Sequence, residues 1–140
     1  MNLAEHEQMP PVAALMTPFP HFVHPDDPAR RAEDLMREHR IRHVPVKDGD
    51  QVVGIVSERD LRASPADRLV RDVLTPGVYA VERSTPLSVA LREMAQRKIG
   101  TAVVLRSGRL AGIVTVTDVC VALADVLEAR FRGAEGGDVA

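Results

Sequence analysis

Two four-residue motifs carry most of the polar chemistry in this chain: Ser57-Glu58-Arg59-Asp60 and Thr115-Val116-Thr117-Asp118. Each follows a Gly-Ile-Val run, Gly54–Val56 or Gly112–Val114, so each stands where a strand passes into a helix. A helix start offers unpaired N–H groups and the positive end of the macrodipole, which suit phosphate oxygens. The hydroxyl of Ser57 or Thr115 can donate to a phosphate, and the carboxylate of Asp60 or Asp118 can accept both hydroxyls of a sugar diol. The same spacing is also a capping box, in which hydroxyl and carboxylate serve the backbone and no ligand is needed. On the local pattern by itself, capping is the stronger reading.

Arg59 adds a permanent charge to the first motif, with forked donors that match pairs of phosphate oxygens. Its counterpart, Thr117, adds only a hydroxyl. The two sites are therefore expected to differ, the one holding Ser57, Arg59 and Asp60 preferring more phosphates; the alternative is a surface pair of Arg59 with Glu58 or Asp60. Arg40, Arg42 and Lys98 are further cations with either a phosphate-directed or a plain surface role. The pairs His21/His24 and His39/His43 raise a metal hypothesis. The second pair has helical spacing, but its helix is expected to end near Arg40, and neither a cysteine partner nor H-E-x-x-H supports zinc. No nucleophile elbow, P-loop or carboxylate pair with an activated nucleophile is present, so neither catalysis nor a cofactor is expected.

These groups are held in a chain that repeats itself at a constant offset of 58 residues. Residues 12–63 slide onto 70–121 without a gap and share thirteen identities over 52 positions, against roughly three expected from ordinary residue frequencies. Among them are Thr17/Thr75, Pro28/Pro86, Met36/Met94, Gly54/Gly112 and Asp60/Asp118. Asp27-Pro28 and Thr85-Pro86 read as helix starts, with an N-cap followed by proline at the first helical position. Leu87, Ala90, Leu91, Met94 and Ala95 then form a helical stripe, and Ala29, Ala32, Leu35 and Met36 a narrower one. Hairpins follow, turning at Asp48-Gly49 and Ser107-Gly108. Second helices are expected from about Ser57 to Ala63 and Thr115 to Arg130, and short leading strands at Phe22–His24 and Tyr79–Glu82.

Composition narrows the function. The net charge is −2 and aromatics are 3% of the chain, which argues against a nucleic-acid binder that needs a basic surface or stacking platforms. There is no apolar run near 20 residues and no signal-peptide pattern, so a cytoplasmic protein without a membrane partner is expected. The single cysteine, Cys120, lies among Val119, Val121 and Ala122 and reads as a buried small hydrophobe. A repeat this short buries too little core by itself, so the two copies are expected to pack together.

From Val12 to about Arg130 the chain resembles a tandem pair of CBS domains, a Bateman module. The marks are Leu15-Met16-Thr17-Pro18, His43-Val44-Pro45-Val46 and Gly54–Asp60, repeated as Leu74-Thr75-Pro76, Thr101-Ala102-Val103-Val104 and Gly112–Asp118. The resemblance implies an α/β (α+β) fold of two βαββα repeats packed through their sheets with pseudo-twofold symmetry. The repeats are assigned to 12–66 and 67–130, and composition adds a loose lead-in at 1–11 and a disordered tail at 131–140. The resemblance also implies a regulatory module that takes an adenine nucleotide or related adenosyl ligand between the repeats, dimerises and acts on another protein. On that basis the motif residues Ser57, Arg59, Asp60, Thr115, Thr117 and Asp118 become nucleotide contacts, and the resemblance outweighs simple capping. Val44, Pro45 and Val46, and Ala102, Val103 and Val104, are expected to wall the adenine, with His43 and Thr101 adding polar contacts and Thr17 and Thr75 opening the entry loops. A ligand-free dimerisation scaffold and a metal-responsive stress protein are the competing functions. A homodimer is expected from helix faces carrying Leu87, Leu91, Val121, Leu123 and Leu127.

Overall fold

Ala29, Ala32 and Met36 recur at helical spacing, and so, 58 residues later, do Leu87, Ala90 and Met94. These six side chains are buried on α1 (Ala29–His39) and α4 (Leu87–Arg97). The computed structural model describes residues 3–18, 20–65 and 67–132. Both helices end on a left-handed residue, Arg40 at φ 54° and Lys98 at φ 55°; this backbone conformation usually selects glycine or asparagine. Their starts differ from expectation by one residue. Pro28 and Pro86 themselves are the N-caps, in extended conformation, and no side chain caps either helix. The reason is tertiary: the Ala29 N–H donates to the Arg68 carbonyl and the Leu87 N–H to the Pro10 carbonyl, each at 2.8 Å. The segment leading into each repeat thus caps the first helix of the other.

The same exchange builds the sheets. The remaining strands are β1 (Thr17–Pro18), β2 (His43–Asp48), β3 (Gln51–Ser57), β4 (Ala80–Glu82), β5 (Thr101–Arg106) and β6 (Arg109–Thr115). One sheet has the order β1-β6-β5-β4, so the lead-in of the first repeat lies beside the hairpin of the second. The β2–β3 hairpin mirrors this through single bridges, Ile55 to Thr75 and Val23 to Val46. Val23 is therefore a bridge rather than the expected strand over 22–24. A Cβ at Gly54 would lie 2.8 Å from the Thr75 carbonyl oxygen, and one at Gly112 would lie 2.8 Å from that of Thr17. These glycines serve the crossing chain. Both hairpins carry a bulge at the same place, after Val46 and after Val104. At the second turn Ser107 and Gly108 both have positive φ, the mark of a type I′ turn.

Two aliphatic cores result. Val44, Val46, Val56, Val70 and Val73 pack under α1, and Val12, Ala102, Val104 and Val114 under α4. Val12 thus belongs to the second core, and Val70 and Val73 belong to the first. The repeats meet through β3 and β6. The short helices α2 (Glu58–Arg62) and α3 (Val70–Val73) and the long α5 (Val116–Arg130) complete the chain. Leu3 packs on the second core, so the lead-in is docked rather than loose. Cys120 is exposed, contrary to expectation, because α5 buries Ala122 and turns Cys120 and Val121 outward. The expected tail lies outside the described residues from 133 onward. No helix among the described residues is long and apolar enough to cross a membrane.

Candidate functional site

A strand that runs straight into a helix leaves the first N–H groups of that helix to be capped locally. Both motifs do this. The Thr115 hydroxyl accepts from the Asp118 N–H at 3.3 Å, and Asp118 Oδ2 accepts from the Thr115 N–H at 2.8 Å and its hydroxyl at 3.0 Å. The Ser57 hydroxyl accepts from the Asp60 N–H at 3.1 Å, and Asp60 Oδ2 accepts from the Ser57 N–H at 2.9 Å. Capping is therefore real at both sites. The sites differ in what remains. Thr75 donates its hydroxyl to the Asp60 carboxylate, 3.2 Å from Oδ2 and 3.4 Å from Oδ1. Among the described residues Asp118 Oδ1 has no such partner, although Thr17 is the equivalent residue.

That free carboxylate oxygen belongs to a residue lining a cleft of about 730 Å³. One wall is the second motif, with Thr115, Val116, Thr117 and Asp118, together with Ile113 and Thr17. The opposite wall comes from the first repeat: Arg40, Ile41, Arg42, His43 and Pro45. The volume lies in the range of small-ligand sites, and the lining combines apolar residues with a few polar groups, as such sites do. Arg40 and Arg42 supply cations at one end. Among the described residues the one ion pair of Arg42 is a 3.6 Å contact to Glu58, which also binds Arg62 at 2.6 Å. His43 has its pKa lowered, first by burial, then raised in part by Asp60 and lowered again by Arg42. It favours the neutral form, which can both donate and accept.

Of the expected contacts, this cleft gathers Thr17, His43, Pro45, Thr115, Thr117 and Asp118. Ser57, Asp60 and Thr75 come together around the other carboxylate, with Arg59 exposed beside them. Glu58 is taken by Arg42 and Arg62, so the surface pair of Arg59 with Glu58 does not form. Of the expected adenine walls, Val44, Val46, Ala102 and Val104 turn their side chains into the helix-covered cores by strand alternation, leaving only backbone to face a ligand. Pro45 and Val103 have the opposite parity and lie on the face between repeats. Thr101 is 7% exposed, and its hydroxyl has no partner, an arrangement that costs stability unless something pairs with it. The histidines group unexpectedly: His21 stacks on His39 with centroids 3.7 Å apart. No three potential metal ligands cluster among the described residues.

The CBS domain family model matches residues 12–67 and again 70–125. The chain belongs to the CBS domain family. As a CBS pair it is 40% identical over 99 residues to inosine-5'-monophosphate dehydrogenase of Korarchaeum cryptofilum, covering 69% of this chain and 21% of that enzyme. It is 33% identical over 105 residues to the Staphylococcus saprophyticus dehydrogenase, covering 71% of this chain and 22% of that one. The CBS pair thus spans about a fifth of the length of these relatives. Among solved structures, a Vibrio cholerae protein provisionally designated acetoin utilization protein (AcuB) aligns with TM-score 0.81 at 30% identity, over 89% of this chain and 98% of that one. CBSX2 in complex with AMP aligns with TM-score 0.74 at 29% identity, over 84% and 98%. The CBS domain of a bacterial CNNM/CorC family Mg2+ transporter in complex with ATP aligns with TM-score 0.72 at 28% identity, over 84% and 87%.

Sequence reasoning read each motif within its own repeat, and so missed that Arg40, Arg42 and His43 face Asp118. The signal was present: a twofold relation between equal repeats sets the start of one hairpin against the helix start of the other.

Proposed function

We propose that this CBS pair is a regulatory sensor that binds an adenosyl ligand, AMP, ADP or ATP by class, in the cleft at Asp118. The observation that carries this reading is the free Asp118 carboxylate oxygen in a cleft with cations at its far wall. Asp118 accepts ribose hydroxyls, Arg40 and Arg42 meet the phosphates, and Pro45 and Ile113 offer apolar surface to the base. Related CBS structures with AMP and ATP support the same class. The contacts assigned to Ser57, Arg59, Asp60, Thr75, Thr101 and Val103 form a second site that opens when Thr75 releases Asp60. The module works in the cytoplasm on a partner protein and catalyses nothing itself.

The pair also forms a homodimer in this reading. Val121, Leu123 and Leu127 on α5 are 58%, 55% and 48% exposed, while Leu87 is core and Leu91 half-buried. The apolar surface that needs cover is therefore α5, with Val116 and Phe131 at its ends. Light scattering at micromolar concentration is expected to give twice the 15.3 kDa chain mass.

Calorimetry with adenosine, AMP and ATP tests the ligand. Binding of all three by the wild-type protein, together with a melting temperature that rises with ligand concentration, is expected. Absence of binding across the panel would sink the sensor reading and leave the scaffold.

A further inference from the structure

Three arginines converge at the other end of β6, at the tip of the second hairpin. Arg83, Arg106 and Arg109 line a second cavity of about 620 Å³, floored by Met16, Pro18 and Leu110. It shares no lining residue with the Asp118 cleft: Met16 and Pro18 flank Thr17 of that cleft, and Leu110 stands five positions, about 17 Å of extended strand, from Thr115. Arg109 reaches Asp50 at 3.6 Å, across exposed surface where such pairs are weak. Among the described residues no acid lies within ion-pair distance of Arg83 or Arg106. The nearby acid, Glu82, is occupied with the turn and accepts from the Ser107 and Gly108 N–H groups at 3.0 Å each. It fixes the backbone that carries Arg106 and Arg109.

The cluster is not a property of the repeat. Fifty-eight residues earlier the three positions hold Pro25, Asp48 and Gln51, so the equivalent positions of the first repeat carry no cation and one carboxylate. Three guanidinium groups gathered around apolar residues have the composition of a site for an anion with an apolar body. Forked donors match phosphoryl oxygens, while Met16, Pro18 and Leu110 cover carbon. We propose that this hairpin-tip cavity binds a phosphorylated small molecule, independently of the cleft at Asp118. Because Met16 and Pro18 come from the first repeat and the arginines from the second, occupancy would tie the two repeats together.

Phenyl phosphate is the probe, followed by amide NMR, with neutral benzyl alcohol and adenosine as comparisons. Saturable shifts of the Ser107, Gly108, Leu110 and Ala111 amides are expected with phenyl phosphate and not with benzyl alcohol. The double variant Arg83→Gln/Arg106→Gln should weaken that binding by at least about tenfold while adenosine binds as before. Shifts confined to Thr115–Asp118, absence of saturation at the hairpin, or equal binding by the double variant would each overturn the proposal.

Discussion

The two carboxylates, Asp60 and Asp118, stand in the same motif at the same place in a repeat, yet among the described residues only Asp118 keeps an oxygen without a hydrogen-bond partner. Asp60 is capped, braced by Ser57 and covered by the Thr75 hydroxyl. Asp118 is capped through Oδ2 alone and lines an open cleft. The difference does not lie within the motifs. It lies in the Thr75 hydroxyl on Asp60, and the surroundings differ too: Arg40, Arg42 and His43 line the cleft with Asp118, whereas the positions 58 residues on are Lys98, Gly100 and Thr101. A repeat can therefore keep its backbone while the surroundings of its two carboxylates diverge through residues contributed in trans.

The sharpest way to break the comparison is to remove each carboxylate in turn. Asp118→Ala is expected to weaken adenosine binding by about ten- to a hundredfold, the worth of hydrogen bonds to a charged acceptor. Asp60→Ala should change it little. Both variants lose a cap and should lose about 1 kcal/mol of stability, so equal effects on adenosine would reduce Asp118 to a capping residue. Calorimetry beside urea melts separates the two contributions.

Gly112→Ala and Gly54→Ala probe the shared frame. Each new Cβ meets a backbone carbonyl at 2.8 Å, and overpacking of this kind costs roughly 1–3 kcal/mol. Denaturant unfolding should show similar losses in both, because the crossing is symmetric where the ligand sites are not. A neutral result at either glycine would mean that the lead-in segment moves aside freely.

Arg42→Ala is expected to weaken ATP binding by several-fold and adenosine binding hardly at all, with Arg59→Ala, outside the cleft lining, doing less. The reverse order would return the phosphate preference to the Asp60 site. Thr75→Val removes the hydroxyl that covers Asp60 and should expose a weak second adenosine site in the same titration.

The smallest effect is on pH dependence. Burial lowers the His43 pKa below 6.5, so the unfolded chain takes up its proton first as pH falls. Stability from this group is thus complete above 6.5 and declines on acidification toward the lowered value. A His43→Gln variant should flatten that part of the melting temperature profile between pH 7 and 5. An unchanged profile would show that His43 titrates as an exposed residue.

Much of the fold was legible because its determinants are local and doubled. The stripes at Ala29/Ala32/Met36 and Leu87/Ala90/Met94, the two hairpin turns and the capping-box spacings each specify short-range geometry. The 58-residue offset confirmed every one of them by a second copy. Cys120 was harder, since α5 is apolar on most of its circumference and the sequence does not say which stripe faces the core. The helix starts were misplaced because proline geometry admits either position, and carbonyls from distant Arg68 and Pro10 decide between them.

The sequence alone determined the repeat, the strand and helix order, and the chemistry available at Ser57–Asp60 and Thr115–Asp118. Only the tertiary structure decided which groups meet. The exchange of lead-in segments, the close approach at Gly54 and Gly112, and the cleft that Arg42 and His43 line together with Asp118 all join residues far apart in the chain. Sequence spacing carries the period of a helix or strand, whereas contacts across two packed repeats depend on how the backbones cross, and that is fixed by burial of the whole core.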